Sequence, residues 1–150
     1  MTGRILKALC VTAMSFFLMS AAHVSSIQTF VSGLGNDSNA SASCPRASPC
    51  RTLATAYSVT QSGGEIIALD PADYGPITIT GQISMWGVEG AAIAVAAGTT
   101  GITINAGAGD RIIIRHFVIS GAGEANTKGI ELNTGQLALF NSTLKSCRLD

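Results

Sequence analysis

The feature that most constrains this chain is a set of short isoleucine-rich runs that return at a nearly fixed interval. The step from Ile77 to Ile102 is 25 and from Ile102 to Ile130 is 28. Ile83 to Ile112 is 29 and Ile112 to Leu137 is 25; Ile93 to Phe117 is 24 and Phe117 to Ser142 is 25. Each run alternates apolar and other residues, as a strand does when successive side chains leave it on opposite faces. Many short strands between turns fit a sandwich, a barrel or a solenoid. Three interleaved series recurring roughly every 25 residues select a repeat architecture, because stacked repeats bury the same position of each unit on the next. The expected fold is therefore all-β, a parallel β-helix of about three to four coils.

The stretch from Arg111 to Gly121 shows the unit most clearly. Ile112 and Ile114 alternate on one strand, Arg115 and His116 make a two-residue corner, and Phe117 and Ile119 resume the alternation. Ahead of the repeats, Gln28 to Ser32 reads as a strand, and Ser32 to Pro49 as a surface loop of turn-forming residues. From Ser48 to Thr60 the period changes: Leu53, Ala56 and Tyr57 fall at helical spacing, which predicts a short amphipathic helix stopped by Gly63 and Gly64.

The segment 1–26 reads differently. Arg4 and Lys7 precede an apolar run from Ala8 through Met19, and small residues follow at Ser20, Ala21 and Ala22. That is the pattern of a secretory signal peptide, with cleavage after residue 22 or 26. The run falls short of the roughly 20 residues a spanning helix needs. The expected units are thus a leader at 1–26, a strand, loop and helix at 27–64, and β-helix coils at 65–150. Removing Arg4 and Lys7 from the nine bases leaves seven against nine acids, a net charge of −2. A weakly acidic chain with scattered bases lacks the footprint of a nucleic-acid binder. In the oxidising compartment that export implies, Cys44 and Cys50 are expected to form a local disulfide. No His or further Cys lies close enough to make them a zinc site. Cys147 is left as a buried thiol or as half of a bond to another chain.

Several segments together carry a resemblance: Thr29 to Asp37, the helix entered by Cys50-Arg51-Thr52-Leu53, Gly63-Gly64-Glu65-Ile66, and Asp110 to Arg115. Over residues 28 to 147 the chain resembles the N-terminal part of secreted bacterial right-handed parallel β-helix repeat proteins of the pectin-lyase-like superfold. The resemblance implies that the segment Ser48 to Thr60 caps the open end of the solenoid. It also implies polysaccharide as ligand class. Family members run to more coils, so the end at Leu149-Asp150, directly after a strand, is expected to mark a truncated frame or an end covered by a partner or by self-association.

Catalysis on that superfold needs clustered carboxylates, or a base beside a calcium site. The acids here are spread along the chain, and the closest pair, Asp70 and Asp73, flanks Pro71 in a turn. Asn133-Thr134-Gly135 is similar to the Asn-Thr-Asp element of polygalacturonases, with Gly where that element has its Asp. No catalytic, cofactor or metal residue is assigned. Arg115, His116 and Phe140 are the candidate surface ligand contacts. Phe140 stands one repeat after Arg115, and Asn141 one repeat after His116; Trp86 is expected to pack at a corner. The expected function is an exported, non-catalytic structural or binding module. The alternative is the N-terminal portion of a carbohydrate-active enzyme, a polysaccharide lyase or hydrolase, with catalytic coils beyond Asp150; a remnant without an independent role is the third. Aromatics, or Asn and Asp, repeated at the coil spacing on an outer face would favour binding.

Overall fold

The computed structural model describes residues 25–123 and 126–149. The leader expectation therefore lies almost wholly outside the described residues. Chain order begins with Ser26–Val31 (β1), a 3-10 helix at Asp37–Ala42, Leu53–Ser58 (α1), Thr60–Ala68 (β2) and Ile77–Ile79 (β3). There follow Ile83–Trp86 (β4), Ala92–Val95 (β5), Thr100–Asn105 (β6), Arg111–Arg115 (β7), Val118–Gly121 (β8) and Lys128–Thr134 (β9). Gln136–Phe140 (β10), Thr143–Lys145 (β11) and Arg148–Leu149 (β12) complete it. The protein is mostly strand.

The strands form three sheets, ordered β1-β2-β4-β7-β10, β11-β8-β5 and β12-β9-β6-β3. Every pairing between them is parallel. From β2 onward, strands adjacent in sequence lie in different sheets: β4, β5 and β6 visit the first, second and third in turn, as do β7 to β9 and β10 to β12. Two of the three series stand in the register that the spacing predicts. Ile83 pairs with Ile112 and Ile112 with Leu137; Ile77 pairs with Ile102 and Ile102 with Ile130.

The third series is displaced by two residues. Ile93 pairs with Ile119 and Ile119 with Leu144, so Phe117 and Ser142 are not its members. The cause lies in the corner. Arg115 is the last residue of β7, and the turn is made by His116, at φ 57°, and Phe117. Phe117 turns inward there, 1% exposed, with its ring edge-on to Tyr74 at 6.5 Å between centroids.

The core is a continuous stack of inward side chains in which Ile66, Ile79, Met85, Ile93, Ile102, Ile104, Ile112, Ile114, Ile119 and Ile130 are all fully buried. Each such side chain contributes about 1.5–3 kcal/mol relative to exposure.

The helix is shorter than Ser48 to Thr60. Thr52 is its N-cap, accepting from the Thr55 amide, and Asp37 accepts from the Arg51 and Thr52 amides. Cys50, just upstream, is held in a parallel bridge to Val31, which keeps the chain extended up to the cap. At the other end the helix closes at Val59, not at the glycines. Gly63 and Gly64 instead lie inside β2, which runs across the expected boundary between residues 64 and 65. Gly63 has φ +79° and donates to the Gln82 carbonyl, while a Cβ on Gly64 would stand 2.6 Å from the Ile27 carbonyl oxygen. Leu53 and Ala56 point from α1 into the core, against β1, β2 and β3.

The expected surface loop is more ordered than its composition suggests. Asn36 caps the 3-10 helix by accepting from the Ser38 amide, and Asn39 donates to the Pro49 carbonyl. Cys44 and Cys50 form a disulfide, 5.1 Å between Cα atoms, and both are buried. Their backbones pair with β1: Phe30 N–H donates to the Cys44 carbonyl and Cys50 N–H to the Phe30 carbonyl. Cys147 is a free, partly exposed thiol. Among the described residues no helix is long and apolar enough to cross a membrane.

Candidate functional site

Alternation along the first sheet sends Ile66, Met85 and Ile114 inward, so the residues that follow each of them face outward. In register across five strands these outward positions are Phe30, Ile67, Trp86, Arg115 and Phe140. Parallel strands lie about 4.8 Å apart, so the column is about 19 Å long. Its β1 end is covered: Arg46, from the disulfide loop, places its guanidinium carbon 5.7 Å from the Phe30 ring centroid, and Phe30 is 8% exposed. The other end is open, with Trp86 and Phe140 each 38% exposed.

Arg115 stands between those two rings. Its guanidinium carbon is 4.8 Å from the Trp86 centroid and 4.2 Å from that of Phe140. A guanidinium stacked on both faces loses freedom of rotation before any ligand arrives, which lowers the entropy cost of using its donors. Its Nε is buried and has no hydrogen-bond partner. Among the described residues the one salt bridge joins Lys128 to Glu131, so none of the described carboxylates forms an ion pair with Arg115. The result is a fixed cation framed by aromatic surface, suited to a ligand with acceptor oxygens and an apolar ring face.

Of the three residues singled out from sequence, Arg115 and Phe140 meet in this stack. His116 does not. It sits at the following corner, exposed, with its Nε2 3.3 Å from the Asn141 Nδ2. Both residues adopt left-handed backbone, at φ 57° and 48°. Trp86, read from sequence as corner packing, belongs to the column instead. The signal was present: it follows the inward Met85, and alternation alone places it outward.

The described aspartates are engaged in holding the fold. Asp70 accepts from the Ser32 hydroxyl, the Gly33 amide and the Tyr74 hydroxyl. Burial pushes its pKa up, but these donors and the nearby Arg51 charge outweigh burial, and the net direction is down. The same balance holds Asp37 below the usual range, with the Thr52 and Arg51 donors opposing burial. Burial and the adjoining Asp70 raise the Tyr74 pKa well above that of a free phenol. Asp73 accepts from the Gly75 and Ala94 amides, and Asp110 from Gly107 N–H.

Asn133 donates to the Asn105 side chain at 2.8 Å, and Gly135 turns the chain at φ +112°. The residue that departs from the polygalacturonase element thus serves a turn that favours glycine. A polar cleft of about 470 Å³ lies beside Tyr57, Gln61, Gln82 and Asp110. It is remote from the stack, at the other ends of the same strands, and its Tyr57 hydroxyl already accepts from the Thr80 amide. Among the described residues, no group of three or more His, Cys, Asp or Glu could hold a metal ion. Comparison with protein families, with curated proteins and with solved structures finds no match to this chain.

Proposed function

We propose that this chain is an exported right-handed parallel β-helix module that binds polysaccharide on the outer face of its first sheet. The recurring passage through three parallel sheets supports the solenoid reading, and the strong preference of parallel crossovers for one hand supports right-handedness. The buried disulfide and the leader-like first residues support export. The observation that carries the binding function is the Trp86–Arg115–Phe140 stack. It presents aromatic carbon to pyranose C–H groups and a held guanidinium to hydroxyl or carboxylate oxygens. Its rungs advance by about 5 Å, comparable to one sugar of an extended glycan.

Affinity electrophoresis through gels containing polygalacturonate, xylan or soluble chitin derivatives tests the reading. At least one polysaccharide is expected to retard the protein, and a Trp86→Ala, Phe140→Ala double variant to bind about tenfold or more weakly. No retardation by any of them, or equal retardation of the double variant at unchanged melting temperature, would overturn it.

A further inference from the structure

Immediately beyond the stack, where the first sheet hands over to β8, lies a cavity of about 320 Å³. Val88, Phe117 and Val118 line it, together with Glu89, His116 and Asn141. Trp86 and Arg115 each lie one or two residues before its wall, and Phe140 directly precedes Asn141. The cavity is therefore lined by residues that follow the open end of the aromatic column along the chain.

Its chemistry differs from that of the stack. Val88 and Val118 are partly exposed apolar side chains that would otherwise face water. Around them stand a carboxylate acceptor, an imidazole and a side-chain amide. The His116–Asn141 contact joins the last two at 3.3 Å, and left-handed backbone at both residues sets their placement. The corner they form is tightly built, since a Cβ on the neighbouring Gly87 would fall 2.3 Å from the His116 carbonyl oxygen. A pocket with an apolar wall and both donor and acceptor on its rim fits a small group that has a methyl end, a carbonyl and an N–H. A bare hydroxyl would leave the valines unfilled, and a carboxylate would meet Glu89.

We infer that this cavity is an acetamido subsite, and that the polysaccharide recognised by the stack carries 2-acetamido sugars. The inference rests on the polysaccharide reading above. The methyl packs against Val88 and Val118, the carbonyl accepts from the Asn141 amide or the His116 imidazole, and the N–H donates to Glu89.

Two oligosaccharides with one backbone linkage separate the possibilities: chitohexaose, which carries the acetamido group on every ring, and cellohexaose, which carries a hydroxyl there. Titration calorimetry on the full chain is expected to give about tenfold or greater preference for chitohexaose. Asn141→Gly and His116→Gly remove the polar rim while suiting the left-handed backbone, so both variants are expected to fold, and each is expected to bring the preference toward one. Equal affinity of the native protein for the two sugars, or an undiminished preference in both glycine variants, overturns the subsite and leaves the polysaccharide reading standing. If neither hexaose binds and no polysaccharide gel retards the protein, the polysaccharide reading fails and the subsite fails with it.

Discussion

Replacing Arg115 with methionine separates what the stack does for the fold from what it does for a ligand. Methionine keeps an unbranched stem between Trp86 and Phe140 and removes the charge and every N–H. Two cation–π contacts are lost, at 4.8 and 4.2 Å, each worth about 0.5–1 kcal/mol at a partly exposed site, or about 1–2 kcal/mol together. Against this, the buried Nε without a partner costs the folded state about 1–3 kcal/mol, and the substitution removes that cost. The expected net change runs from about 2 kcal/mol of stabilisation to about 1 kcal/mol of loss, centred near zero. Urea denaturation followed by tryptophan fluorescence reads this directly, because Trp86 is the only tryptophan. In the proposed function Arg115 supplies N–H donors to the ligand, and methionine has none. Polysaccharide affinity is therefore expected to fall strongly in the same variant. A loss of stability above about 2 kcal/mol would refute the reasoning, since it would mean that the guanidinium makes stabilising contacts beyond the two rings.

Ile112→Ala empties the middle rung between Ile83 and Leu137, and a loss of about 2–5 kcal/mol is expected in the same urea titration. Gly35→Ala would place a Cβ 2.2 Å from the Cys50 carbonyl oxygen, and calorimetry should show it destabilised by about 1–3 kcal/mol. Asp37 and Asp70 both have pKa values lowered from the usual 3.8, so their contribution is complete above that value and is lost as pH falls through the lower folded-state values. Thermal scans should accordingly show a melting temperature that declines below about pH 4, less steeply in Asp70→Asn, which starts less stable at neutral pH. Removing the disulfide with a Cys44→Ala, Cys50→Ala pair should cost about 2 kcal/mol, the closure entropy of so short a loop, measured by denaturation under non-reducing conditions.

Much of the fold could be read from the chain because its signals are local or strictly periodic. Isoleucines at alternate positions specify which side of each strand is buried, and their return at a nearly constant interval specifies which strands stack. The Cys44–Cys50 bond followed from a spacing too short to require distant partners. The reading lost accuracy where non-local contacts override a local pattern. Phe117 has the alternation of a strand residue, yet the turn at His116 and the packing on Tyr74 place it at a corner, two residues ahead of the pairing position. Two glycines that would end a helix in isolation lie within β2, at an irregularity between the Thr60–Ser26 and Glu65–Gln28 pairs with β1, where Gly63 bonds to Gln82. The helix starts only at Leu53 because its N-cap is held by Asp37, fifteen positions upstream of Thr52.

For the site, sequence determined that Arg115 and Phe140 stand one repeat apart and that Trp86 follows an inward residue. It could not determine that these three share one column with Phe30 and Ile67. The step from Trp86 to Arg115 is longer than the step from Arg115 to Phe140, and only the register of the paired strands decides which outward positions coincide. The open cavity beside the stack is a product of tertiary structure alone. It arises because β8 starts two residues after the His116 corner, a distance set by how Phe117 packs and not by any motif in the chain.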